Sequence, residues 1–115
     1  MRARIYHNPR CSNSRGALAL LQEAGITPEV IEYLDAPPDA ATLAQLLHDM
    51  RMPARSLLRD KEALHAELGL ADPKWSEAEL IGFMVAHPVL INRPIVVTDK
   101  GVRLCRPPEV VREIL

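Results

Sequence analysis

The first third of the chain alternates between extended and helical patterns in a way that few folds accommodate. Ala3 to Tyr6 is a short apolar run that reads as a strand. After a polar turn, Ser12 to Ala24 carries apolar residues at Leu18, Leu20, Leu21 and Ala24 and stops at Gly25, the pattern of a helix with a glycine terminus. Val30, Ile31, Tyr33 and Leu34 follow Pro28 as a second strand. Strand, helix and strand of these lengths make a βαβ unit, and a crossover helix returns the chain so that the two strands run parallel.

Asp35-Ala36-Pro37-Pro38-Asp39 then breaks the pattern, and the segment from Ala40 to Ala86 is helical in character. Leu43, Leu46 and Leu47 mark one amphipathic stretch, a short one around Ser56 to Leu58 follows Pro53, and Glu62 to Leu68 stops at Gly69. Ser76 and Glu79 stand at capping-box spacing before a helix to Ala86. Ile95 to Thr98 and Val102 to Cys105 read as a hairpin around Asp99-Lys100-Gly101. Pro107-Pro108-Glu109 opens a closing helix to Leu115, since proline suits a first helical turn. The order βαβ, helical insert, ββα predicts an α/β chain with a mixed sheet on the thioredoxin-like plan. Residues 1–115 are expected to form a single domain carrying an inserted helical subdomain at about 39–86.

A length of 115 residues supports one hydrophobic core without disulfides or metals. A net charge of −1 gives no electrostatic reason to expect nucleic acid or an anionic membrane as partner. The apolar stretches are too short to span a bilayer, and Met1-Arg2-Ala3-Arg4 lacks the features of a signal peptide. Two cysteines far apart make no disulfide framework, so the expected setting is a reducing cytoplasm with free thiols.

Cys11 is the centre of the chemistry. It opens the first helix, where peptide N–H groups lack internal partners and the helix dipole is positive. Both features favour a thiolate below the ordinary value of roughly 8.5, and both favour a bound oxyanion. Arg10 and Arg15 flank it. Cys11-Ser12-Asn13-Ser14 has serine where a dithiol oxidoreductase has its second cysteine, so resolution falls to Cys105 or to an outside thiol such as glutathione. Ser14 either donates to the thiolate or caps the helix, and His7 either tunes the thiolate as a cation or holds the loop by a hydrogen bond. Arg59, Arg93 and Arg106 lie at element boundaries, the last two just before proline, which biases them to extended backbone. They are either a converging anion cage, for which arginine's forked donors are suited, or solvated surface residues. Pro94 stands where a thioredoxin-like fold places a cis-proline opposite the reactive cysteine. His48, His65 and His87 lack metal-ligand spacing, and no metal or bound cofactor is expected.

The chain resembles the glutaredoxin-coupled arsenate reductase family almost end to end. The resemblance rests on Ile5-Tyr6-His7-Asn8-Pro9-Arg10-Cys11, Leu57-Leu58-Arg59, the run from His87 to Val97, and Arg103-Leu104-Cys105-Arg106-Pro107. It implies a thioredoxin-like fold with a helical insertion and a role for each matching residue. Cys11 is then the nucleophile that forms a thiol–arsenic adduct, Arg59, Arg93 and Arg106 bind the oxyanion, and His7 and Ser14 assist the thiolate. Glutathione is implied as co-substrate and glutaredoxin as the partner that reduces the mixed disulfide. After Cys11 the chain departs from the family's well-studied members, with Ser12-Asn13 in place of a Gly-Thr pair. Two other readings are a glutathione-dependent thiol oxidoreductase with another substrate, in which the arginines bind glutathione carboxylates, and a redox-responsive regulator of RNA polymerase. The regulator's usual Cys-x-x-Cys switch is absent, because Ser14 takes the second position.

Overall fold

The β1 strand (Ala3–His7) is the axis of the first unit, pairing on one side in parallel with β2 (Glu29–Glu32) and on the other antiparallel with β3 (Ile95–Thr98). The β4 strand (Gly101–Leu104) completes a four-stranded mixed sheet of order β2-β1-β3-β4. The structure is a computed structural model describing all 115 residues, which form two compact units: Met1–Ala36 with Arg93–Leu115, and Pro37–Asn92.

Helix α1 (Ser12–Glu23) connects β1 to β2. It ends because Gly25 adopts φ 79°, a left-handed conformation that a Cβ would penalise. There the Gly25 N–H donates to Gln22 O and the Ile26 N–H to Leu21 O, the two bonds of a Schellman stop. Ala17 and Leu21 face inward with Ser14, while Leu18 and Leu20 are only partly buried. The core of this unit joins Ala17 and Leu21 to Ile5, Val96, Cys105, Val111 and Ile114. Burying each large aliphatic side chain is worth roughly 1.5–3 kcal/mol, so this layer fixes the position of α1 on the sheet. At Gly16 a Cβ would stand 2.8 Å from Pro108 Cγ, which sets how closely α1 approaches the closing segment.

Several boundaries differ from the sequence expectation. The second strand stops at Glu32, because the Glu32 carbonyl accepts from the N–H groups of both Asp35 and Ala36 and turns the chain. The hairpin turn is Asp99-Lys100, and β4 ends one residue early where the Cys105 N–H donates to Pro94 O. The closing segment Pro108–Ile114 is a 3-10 helix, tied by bonds such as Val110 N–H to Pro107 O. Two successive prolines remove N–H donors, and the β-branched pair Val110-Val111 adds little helix propensity.

The second unit is helical. Helix α2 (Ala40–Met50) is capped by Asp39, which accepts from the Thr42 N–H, and buries Leu43, Leu46 and Leu47. Short helices α3 (Ala54–Leu57) and α4 (Ala63–Glu67) follow. Helix α5 (Glu77–Ala86) opens with the full capping box of Ser76 and Glu79. A 3-10 turn at Pro88–Leu90 leads to Ile91, which bridges antiparallel to Leu58, so the unit extends to Asn92. No helix is long and apolar enough to cross a membrane.

Candidate active site

The loop between β1 and α1 is clasped by the first turn of the helix it leads into. The Asn8 N–H donates to Ser14 Oγ at 3.1 Å, and Arg15 Nη1 donates to Pro9 O at 3.0 Å. Within the loop, the Arg10 N–H donates to Asn8 Oδ1 and the Cys11 N–H to Asn8 O, each at 3.0 Å. Ser14 is fully buried, and its hydroxyl accepts from the loop. Its observed bond therefore ties the loop in place.

Cys11 occupies the N-cap position of α1 with extended backbone, φ −93° and ψ 124°. An N-cap side chain ordinarily satisfies the N–H groups of the second and third helical residues. Here those residues are Asn13 and Ser14, and no oxygen-bearing cap serves them. Burial raises the Cys11 pKa, yet the Ser14 N–H, the Arg93 guanidinium and the Asn13 N–H together outweigh it and leave the thiol below its ordinary value. The sulfur thus stands at the head of the helix, where the N–H groups of Asn13 and Ser14 favour its thiolate form.

Two arginines of the first unit converge on that sulfur. Arg106 Nη1 lies 3.8 Å from Cys11 Sγ and donates to the Arg93 carbonyl at 3.0 Å. Arg93 contributes both a hydrogen bond and its charge to the lowered Cys11 pKa. Each precedes a proline, and the Arg93–Pro94 and Arg106–Pro107 bonds are both cis. Thiolate, helix N-terminus and two guanidinium groups form a site suited to an oxyanion that reacts at sulfur. Arg59 belongs to the helical unit, where its N–H donates to Leu90 O and its Nη1 pairs with Glu62 Oε1 at 3.0 Å.

His7 ends β1 and is buried, with Nδ1 lacking a hydrogen-bond partner. Burial lowers its pKa; Glu32 opposes that effect and Arg15 adds to it. The imidazole is thus neutral at pH 7 and supplies no positive charge to the thiolate. Cys105 is fully buried in the core, its Sγ donating to Arg103 O at 3.6 Å. Burial, reinforced by Glu113, pushes its thiol up to about 12, which makes it a poor nucleophile. No cluster of three or more His, Cys, Asp or Glu side chains has metal-binding geometry.

The roles of Asn8 and Arg15 in the loop were missed from sequence. One signal pointed to Arg15: a cation in the first turn works against the helix dipole and calls for a compensating contact.

Comparison with known proteins accords with this geometry. The ArsC family model matches residues 6–114. The arsenate reductase of Escherichia coli (strain K12) is 51% identical over 111 residues, covering 96% of this chain and 79% of that protein. The uncharacterized protein YfgD of the same organism is 55% identical over 113 residues, covering 97% of this chain and 95% of YfgD. Among solved structures, the arsenate reductase from Vibrio cholerae superposes with a TM-score of 0.96 at 46% identity, over 100% of this chain and 98% of that one. Similarity of this extent to arsenate reductases carries with it an enzymatic, redox-active function. With nearly the whole length matched and half the residues shared, the chain belongs to the ArsC family, arsenate reductases of the glutaredoxin-coupled type built on a thioredoxin-like fold with a helical insertion.

Proposed function

We propose that this protein reduces arsenate to arsenite in the cytoplasm, with Cys11 as nucleophile and glutathione and glutaredoxin as electron donors. The observation that carries the reading is Cys11 at the N-cap position of α1, with Arg106 Nη1 at 3.8 Å and Arg93 favouring the thiolate. The thiolate displaces an arsenate oxygen, which leaves as water, and a sulfur–arsenic bond forms. Glutathione forms a second sulfur–arsenic bond, its thiol proton leaving with another arsenate oxygen as water. Arsenic then gains two electrons and departs as arsenite, and the two sulfurs become a mixed disulfide on Cys11. Glutaredoxin takes over the glutathionyl group and restores the thiol.

Arg93 and Arg106 hold the oxyanion and offset the charge that builds on it, which is where preorganised donors are worth most. Arg59 is assigned as a third anion ligand through the family resemblance. Ser14 and His7 serve the loop: the first through its bond to Asn8, the second as a neutral packed group. With Cys105 held in the core, the second thiol comes from outside the chain.

A second reading keeps the chemistry and changes the substrate to a glutathione mixed disulfide. It is favoured by Ser12-Asn13 after Cys11 and by the match to YfgD, which spans 95% of that protein against 79% of the arsenate reductase. The deciding assay follows NADPH oxidation with glutathione, glutathione reductase and glutaredoxin, with and without arsenate. Arsenate-dependent turnover, lost in Cys11→Ser, is the expected result. Turnover only on a glutathionylated substrate selects the second reading.

A further inference from the structure

A groove of about 340 Å³ lies at the carboxyl ends of β1 and β2, entirely within the first unit. Its wall on the β1 side is the loop from His7 to Arg10, the residues that lead into Cys11, and on the β2 side Glu32, Leu34 and Asp35. Consecutive Cα atoms stand about 3.8 Å apart, so the groove begins one residue from the nucleophile.

The charges in this groove are unspent. Arg10, Glu32 and Asp35 are all exposed, and none forms an ion pair with another side chain. Glu32 and Asp35 are held on one turn by the Asp35 N–H to Glu32 O bond of 3.0 Å. His7, which pairs with Glu32 across the strands, has its pKa lowered chiefly by burial, so it brings no fixed positive charge to this side of the groove. Leu34, 44% exposed, adds apolar surface beside them. One cation and two carboxylates lining the same groove complement a zwitterion, an ammonium and a carboxylate on one small molecule.

The geometry points to this groove as the seat of the γ-glutamyl end of glutathione, its carboxylate on Arg10 and its ammonium on Glu32 and Asp35, with the thiol directed to Cys11. This rests on glutathione being the co-substrate, as proposed above.

The test needs no arsenate. Glutathione disulfide reacts with the Cys11 thiolate by exchange: the sulfur of Cys11 bonds to one glutathionyl sulfur, the original S–S bond breaks, and glutathione leaves as a thiolate. The rate is followed by mass spectrometry of the intact chain and normalised to iodoacetamide alkylation of Cys11. Glutathione carries a net negative charge, so Coulomb repulsion alone predicts that removing two carboxylates accelerates the exchange. An ammonium held by those carboxylates predicts the reverse. The Glu32→Gln/Asp35→Asn variant is expected to react about tenfold more slowly than the wild type, the worth of one charge-assisted hydrogen bond. The disulfide of N-acetylated glutathione, which lacks the ammonium, is expected to be slow with the wild type and not slowed further in the variant. A variant that reacts with glutathione disulfide as fast as the wild type, or faster, overturns the assignment. Groove-dependent exchange without arsenate turnover would overturn the arsenate reading and leave the groove standing.

Discussion

Cys11 and Cys105 lie in the same unit, both buried at 8% and 0% exposed, yet their thiols are driven in opposite directions. Desolvation acts on each and by itself favours the neutral thiol. At Cys105 it prevails, because Glu113 adds to it and only Arg103 opposes, and the thiol is pushed up to about 12. At Cys11 the N–H groups of Ser14 and Asn13 and the Arg93 guanidinium overcome it. Burial is common to the two sites, and donors aimed at the sulfur are not. A helix N-terminus with guanidinium support makes an otherwise small apolar residue a more acidic thiol.

Substitution at the two positions should separate them most. Cys11→Ser is expected to lower arsenate-dependent turnover by roughly 10³-fold or more while the protein still folds, as loss of a nucleophile does. Cys105→Ala is expected to keep turnover within about twofold and to lower stability by about 1 kcal/mol through lost packing, read from denaturant midpoints. A large activity loss in Cys105→Ala with little change in stability would make Cys105 a working thiol and break the contrast.

The donors come next. Arg93→Lys is expected to reduce kcat/KM by about 10–100-fold, because lysine keeps the charge and loses the fork. The pH profile of Cys11 alkylation should also move upward in this variant. An unmoved profile with unchanged kinetics would assign Arg93 to structure alone.

Smaller effects follow from linkage. The lowered Cys11 pKa means that the folded state holds the thiolate better than the unfolded chain does. That stability is fully present above the unfolded thiol value of about 8.5 and is lost as pH falls through the lower folded value. The stability gap between wild type and Cys11→Ser should therefore narrow on acidification. His7 works with the opposite charge type. Its folded pKa is lowered, so the unfolded chain takes up the proton first and stability drops as pH falls below about 6.5. His7→Gln should flatten that slope, measured as Tm against pH between about 7 and 5.

Much of the fold was legible because it depends on local patterns. The apolar run of β1, the glycine stop of α1 and the Ser76 and Glu79 box each declare themselves within a few residues, as does the β3–β4 hairpin, if not the exact extent of its turn. The misread boundaries turn on longer-range or subtler effects: the double acceptance by the Glu32 carbonyl, the Pro94 carbonyl taking the Cys105 N–H, and a prolyl start that tightens the last helix to 3-10 form. In the site, the position of Cys11 at the head of α1 could be read from the turn and helix signals around it. That Arg106, 95 positions away, stands beside its sulfur could not, since the spacing of arginines carries no information about how strands β3 and β4 return to β1. The bond from Asn8 to Ser14 was hidden for another reason, since serine in a first helical turn has several equally good partners.

The most direct test is the pH dependence of alkylation of each cysteine in the native protein, resolved by mass spectrometry of the labelled peptides. The predicted result is a Cys11 profile with its midpoint below that of a free thiol and a Cys105 that stays unlabelled until the protein unfolds. A Cys11 midpoint at or above the free-thiol value, or equal labelling of the two residues in the native state, would contradict the proposal that helix α1 and the arginines make Cys11 the nucleophile.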